Sequence, residues 1–199
     1  MSRRIHKDRA GFTLIEMMVS ITIGMVVIAG VTGTFTAQTR QNKAEELISQ
    51  MHQNVRGAVD MIDRELMQAG YKAPGGSVTG VTYDTTQLII QADNDGNGSI
   101  NTGSTSLEYI TYAYDSANLR VTRKLGSSGT AEIIADNVTQ FAFAYKMADG
   151  TAATSSSTIR KVTITITGRT AKVDPSYSSN GGYRTYQLTV DVTPPNLAL

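Results

Sequence analysis

Two stretches of this chain hold residue types whose spacing could do chemistry. The first is Asp93-Asn94-Asp95-Gly96-Asn97-Gly98-Ser99-Ile100. Side-chain oxygens stand at alternate positions, on Asp93, Asp95 and Asn97, and a tight loop turns every second side chain inward toward a hard cation. Gly98 permits the sharp turn, Ser99 offers a backbone carbonyl, and Ile100 is the apolar anchor. The pattern resembles the first eight positions of an EF-hand-type loop and makes Ca2+ the candidate ion. Ser104 stands where the twelfth-position acid belongs, and Glu108 joins the set if the chain folds back. With two carboxylates in the loop the expected affinity is weak, about 10⁻⁴–10⁻³ M. A polar hairpin turn would use the same Asn, Asp and Gly residues without a metal, and both readings stay open.

The second is Glu16, the one charge within the apolar run Phe12 to Phe35. An unpaired carboxylate is costly in a bilayer, so an ionisable group there asks for a partner. Cleavage between Gly11 and Phe12 would create one, the new α-amino group of Phe12. A helix of about 24 residues is roughly 36 Å long, enough to cross a hydrocarbon core of about 30 Å. Arg3, Arg4, Lys7 and Arg9 flank the run on its N-terminal side, which keeps that side cytoplasmic. A secretory signal would carry its small-residue cut after a shorter apolar stretch, whereas here the cut precedes it.

Other chemistry is not encoded in any motif. There is no Cys, which removes thiol catalysis and disulfides alike. His6 lies in the basic N-terminal segment and His52 in the helical region, so they are not placed to share a metal or a base. Gly75-Gly76 and Gly181-Gly182 are loops without a following phosphate-binding helix. The reading is therefore of a non-enzymatic protein that requires no cofactor, with Ca2+ as the one candidate. The formal net charge of +1 gives no bulk field for nucleic acid. Tyr177, Tyr183, Arg184 and Tyr186 are expected to pack within the domain rather than stack on bases.

The elements that must position these groups follow from periodicity. Ala44, Leu47, Ile48, Met51, Val55, Ala58, Val59, Ile62, Leu66 and Met67 recur at three- and four-residue steps. They predict an amphipathic continuation of the first helix, so one helix is expected from about Phe12 to Ala69. Gly70 stops it, followed by Pro74-Gly75-Gly76. Asp60, Asp63 and Glu65 lie near Arg56 and Arg64 at helical spacing, which predicts surface ion pairs. Beyond Gly76 the period becomes two. Strands are expected over 78–83, 87–91, 107–113, 119–123, 132–135, 138–146, 158–167 and 183–192. The apolar faces Phe141, Phe143, Tyr145 and Val162, Ile164, Ile166 should pack on the helix stripe.

Gly11-Phe12-Thr13-Leu14-Ile15-Glu16 resembles the class III signal of type IV prepilins and type II secretion pseudopilins. The resemblance implies cleavage after Gly11 by a prepilin peptidase, N-methylation of Phe12, and pairing of Glu16 with a neighbouring subunit's N-terminal amine during assembly. A second resemblance narrows the family. Asn54, Arg56, Ala58, Asp63-Arg64 and Ala69-Gly70-Tyr71 are similar to the helix end of PilW-type minor pilins, with J-type pseudopilins as the near rival. The lack of Cys departs from pilins whose C-terminal loop is closed by a disulfide.

The fold so implied is α+β and pilin-like: a long N-terminal helix whose second half packs on an antiparallel β-sheet domain. Residues 1–11 are the leader, 12–35 the transmembrane and polymerisation half of the helix, 36–70 its amphipathic half, and 71–199 a periplasmic or extracellular β domain. The function implied is a minor pilin that initiates, assembles or tips a pilus. The alternatives are a minor pseudopilin of a type II secretion system, or an adhesive or DNA-binding module on a pilin stem. The implied partners are other major and minor pilins, the prepilin peptidase and an inner-membrane assembly platform. The implied location is the bacterial inner membrane, spanned once, and then the pilus, cell surface or periplasm.

Overall fold

The computed structural model describes residues 11–197. The leader expected over 1–11 therefore lies, Gly11 apart, outside the described residues, as do 198 and 199. One long helix, α1, runs from Leu14 to Leu66. By internal packing the chain divides into residues 1–45 and residues 46–199, described in turn.

In the first unit the helix carries its apolar residues uncovered. Phe12, Leu14, Ile15, Met25, Val26, Ile28 and Phe35 are all at least two-thirds exposed. Such a face is stable only against lipid or other apolar helices. Five threonine hydroxyls of this stretch are satisfied within the helix itself. The hydroxyls of Thr22, Thr32, Thr34, Thr36 and Thr39 each donate to the carbonyl four residues back, at 2.6–2.8 Å. No hydroxyl among these five is left to seek water, which suits a segment surrounded by hydrocarbon.

The second unit contains the rest of α1 and eight strands. They are β1 (Val81–Thr82), β2 (Gln87–Gln91), β3 (Tyr109–Asp115), β4 (Arg120–Leu125), β5 (Ala131–Ala135), β6 (Val138–Lys146), β7 (Lys161–Arg169) and β8 (Thr185–Val192). All pairings are antiparallel. One sheet has the order β1-β2-β3-β4-β5 and the other β6-β7-β8.

From the predicted helical stripe, Met51, Val55, Ala58, Val59, Ile62 and Leu66 are buried, whereas Met67 is exposed. Of the buried six, all but Met51 join one core with Leu88, Ile110, Tyr112 and Val121 of the first sheet and Phe141, Val162, Ile164 and Ile166 of the second. Each fully buried Val, Ile or Leu contributes roughly 1.5–3 kcal/mol. Along β7 burial alternates without a break, and Phe141, Phe143 and Tyr145 face Ile166, Ile164 and Val162 in register. Gly168 continues that inward row, and a Cβ there would lie 2.5 Å from Val55 Cγ2, so the missing side chain lets the strand close on the helix.

Several boundaries differ from the sequence reading. Residues 78–80 are outside β1, which keeps only two residues. The strand expected from 158 begins at Lys161, because Ser156–Thr158 form a 3₁₀ turn. The strand expected from 119 begins at Arg120, because Leu119 takes a left-handed φ of 54°. A register shift between Val138 and Gln140 puts Val138 and Phe141, three residues apart, both in the core. Such a bulge breaks the two-residue period that sequence alternation relies on.

The helix ends at Leu66, three residues before the expected Ala69, and a turn carries the chain on to Gly70. Gly70 has φ +79°, its N–H bonds Gln91 O at 2.9 Å, and Leu197 sits against it. The same Leu197 side chain fills the space a Cβ on Gly80 would need, at 2.4 Å. The end of the chain is thus latched to the end of the helix by packing, with no disulfide involved.

Candidate functional site

The head of α1 places Gly11, Phe12 and Glu16. Gly11 to Thr13 are non-helical and exposed, so the Gly11–Phe12 bond lies in accessible backbone of the kind proteases cut. Thr13 caps the helix. Its hydroxyl accepts the Glu16 N–H at 3.3 Å, and Glu16 Oε2 accepts both the Thr13 N–H and the Thr13 hydroxyl at 3.1 Å. This is a reciprocal capping box, which satisfies two otherwise unpaired groups at the helix start. Sequence reasoning gave Glu16 a role and passed over Thr13, although the Thr-x-x-Glu spacing carries the signal. Both bonds to the carboxylate use Oε2, and Oε1 accepts none among the described residues.

The oxygen-rich loop hangs between β2 and β3. Asp93 is fully buried and Glu108 nearly so, while Asp95 is exposed. One carboxylate oxygen from each of the three lies within 4.8 Å of the others. The Asp93 carboxylate accepts N–H groups from Ala73 at 3.1 Å, Gly98 at 2.9 Å and Asn97 at 3.1 Å. Burial pushes the Asp93 carboxyl upward, but these bonds and the neighbouring Asp95 outweigh it and hold it below the ordinary value of 3.8. Glu108 accepts the N–H of Asp95 at 3.1 Å and of Asn101 at 2.8 Å. Thus the chain does fold back, and Glu108 supplies the third carboxylate where Ser104 has none.

Asn97 and Ser99 are used differently. The Asn97 amide donates to Asp95 Oδ2 at 2.7 Å, and its oxygen accepts the Ser99 N–H at 2.8 Å. Three hard-oxygen groups with two of them buried form a donor set suited to Ca2+. Each oxygen that accepts one N–H keeps a second lone pair.

Glu65 corrects an expectation. It makes no ion pair along the helix face. Its Oε1 accepts Arg123 Nε at 2.9 Å and Nη2 at 2.7 Å, and its Oε2 accepts the Tyr112 hydroxyl. Among the described residues, no ion pair joins two residues of α1. The long reach of Glu65 to β3 and β4 replaces a weak i,i+4 pair by a half-buried one.

The aromatic and basic residues are engaged inside the domain. Arg184 pairs with Asp174 at 2.8 Å and lies over Tyr177, Arg169 lies over Tyr183, and His52 stacks on Tyr186 with centroids 4.1 Å apart. Lys146 and Lys161 share Asp191.

A sequence model described as the prokaryotic N-terminal methylation motif matches residues 6–32. A second, described as prepilin peptidase-dependent protein B, matches residues 45–192, most of the chain. None of the curated proteins compared matches it. Among solved structures, a type IV-like pilin from Thermus thermophilus is similar at 15% identity and a TM-score of 0.45, covering 73% of this chain and 97% of that one. With the methylation motif on the helix head and the second match spanning the helix end and both sheets, the chain belongs to the prepilin peptidase-dependent protein B family and is a type IV pilin-like protein with a class III N-terminal signal.

Proposed function

We propose that this protein is a minor pilin that enters a pilus filament through α1 and uses its β domain to prime or cap assembly. The precursor is cut between Gly11 and Phe12 and methylated on Phe12, and residues 12–35 hold it in the bacterial inner membrane with the N-terminus cytoplasmic. The observation that carries this reading is the uncovered apolar run from Phe12 to Phe35, headed by a single carboxylate. The Oε1 of Glu16, which accepts no bond among the described residues, supports it further, since an incoming amine can bond there while Oε2 keeps the capping box intact. Pairing of that kind lowers the cost of placing a charge at membrane depth.

The test is Glu16→Ala. Insertion and cleavage should persist, and recovery in sheared filaments should fall by about tenfold or more, the equivalent of ~1.4 kcal/mol per assembly contact. Normal incorporation would remove the assembly role given to Glu16. Recovery with a secretion pseudopilus instead of a pilus would move the protein to the type II secretion reading, in which Glu16 does the same work.

Within the same reading, Asp93, Asp95 and Glu108 hold Ca2+ and fasten the loop between β2 and β3, with Asn97 and Ser99 shaping it. The gathering of three carboxylate oxygens within 4.8 Å favours this over a plain turn. At the expected affinity, millimolar Ca2+ stands at about 1–10 times its dissociation constant and stabilises by ~0.4–1.4 kcal/mol. In a domain of this size that is roughly 1–6 °C in Tm. Asp93→Ala also strips three N–H groups of their acceptor, so it should melt lower even in chelator. The decisive quantity is the increment between chelator and millimolar Ca2+. It should vanish in Asp93→Ala and in Glu108→Gln, and no increment in the parent protein ends the proposal.

A further inference from the structure

A groove of about 510 Å³ opens beside the helix end, between the segment after Gly70 and the turn before β7. Its charged lining residues are Lys72 and Arg160, and Ser77, Thr79, Ser155 and Asn196 add polar side chains. No Asp or Glu lines it. Among the described residues neither cation has a carboxylate partner, although the domain pairs five other ion pairs elsewhere. Arg160 is steadied by donating one nitrogen to the carbonyls of Ser157 at 2.9 Å and Ile159 at 2.8 Å, which leaves the rest of its guanidinium uncommitted. The side chains of Lys72, Ser77, Thr79 and Asn196 make no hydrogen bond among the described residues.

We infer that this groove binds a hydroxylated oxyanion, of the size of one or two sugar residues, with Lys72 and Arg160 on the anionic group and the Ser, Thr and Asn side chains on its hydroxyls. Two cations with no carboxylate partner among the described residues, set in a concave site, raise the local concentration of anions. A guanidinium held in place presents its remaining donors in a planar fork that matches carboxylate or phosphate. The volume lies in the range of small-molecule sites, and the polar lining selects against an apolar ligand. Two sources supply this one chemistry, a uronate carboxylate and a sugar phosphate. The inference is independent of the assembly reading, because it concerns the β domain alone.

The experiment is a titration of the full chain in non-ionic detergent, followed by isothermal calorimetry and by NMR shifts of the Lys72 and Arg160 segments. The probes are inorganic phosphate, glucuronate, glucose 6-phosphate and, as the neutral control, glucose. Saturable binding of glucuronate or glucose 6-phosphate in the range of about 1 mM or tighter is expected, with glucose silent. Binding should weaken at least about tenfold in Lys72→Glu and fall with added salt. Lys72 is exposed, so this variant should keep the parent melting temperature. Preference for glucuronate identifies the carboxylate route, and preference for the phosphate ester the other. The inference is overturned if none of the three anions saturates, if glucose binds equally well, or if Lys72→Glu and a folded Arg160→Gln both bind as the parent does.

Discussion

Removing the Glu65 side chain should cost the helix–sheet junction about 3 kcal/mol. Glu65 stands one residue before the end of α1 and holds two strands at once. Its carboxylate takes two charge-assisted bonds from Arg123 and the hydroxyl of fully buried Tyr112. The Arg123 and Glu65 side chains are only 13% and 17% exposed. Burial works against the Arg123 charge, but the bond and charge of Glu65 outweigh it and hold the guanidinium above its ordinary range. Burial, reinforced by Glu65, pushes the Tyr112 hydroxyl far above its usual value, so it remains a donor. Glu65→Ala leaves a nearly buried cation and a buried hydroxyl without their acceptor. Breaking a buried pair costs roughly 3–5 kcal/mol, and the residual exposure selects the lower end. In a domain of this size the fall in Tm is about 6–12 °C. Circular dichroism melts of the full chain in detergent measure it. The triple change Glu65→Leu, Arg123→Met and Tyr112→Phe removes every stranded group and should recover to within about 1 kcal/mol of the parent. A loss below about 1 kcal/mol in Glu65→Ala would class the contact with ordinary surface pairs and refute the reasoning.

Two other perturbations address the ends of the domain. Leu197→Ala empties the space between Gly70 and Gly80 and should destabilise by ~2–3 kcal/mol in the same melts. Gly80→Ala should destabilise as well, since its Cβ would meet Leu197 Cδ2 at 2.4 Å and the Gly70 nitrogen at 2.9 Å. The loop between β7 and β8 should open in acid. The Ser176 hydroxyl and N–H, with Arg184, hold the Asp174 carboxyl below 3.8. Because the folded value lies below the unfolded one, the stabilisation is complete above about pH 4 and is lost as pH falls through the folded value. Protection of this loop against hydrogen exchange, taken relative to the intrinsic amide rate at each pH, should fall at low pH in the parent, whereas in Asp174→Asn it should be low at both ends of the range.

The sequence made α1 legible because its stripe repeats over many turns, although the helix stops at Leu66, a turn ahead of the Gly70 signal. The second sheet was nearly as clear, since Val162, Ile164 and Ile166 alternate without interruption. The first sheet was less so. Leu119 turns left-handed and β1 shrinks to two residues, and neither event leaves a periodic trace. At the head of the helix the sequence singles out Gly11, Phe12 and Glu16, while the capping role of Thr13 is masked by the membrane explanation its partner Glu16 already has. In the loop the sequence singles out Asp93, Asp95, Asn97 and Ser99, with Glu108 conditional on the chain folding back, and the fold brings Glu108 beside the two aspartates from the residue before β3. Glu65 meets Arg123, and Lys72 comes to line one groove with Arg160, only because the fold brings distant positions together. Spacing along the chain holds no record of such contacts.

The most direct test of the central claim is N-terminal mass spectrometry of the protein recovered from sheared filaments and, in parallel, from membranes. The account predicts a mature chain beginning at N-methylated Phe12 in the filament fraction. A chain still beginning at Met1 and found only in membranes would contradict it.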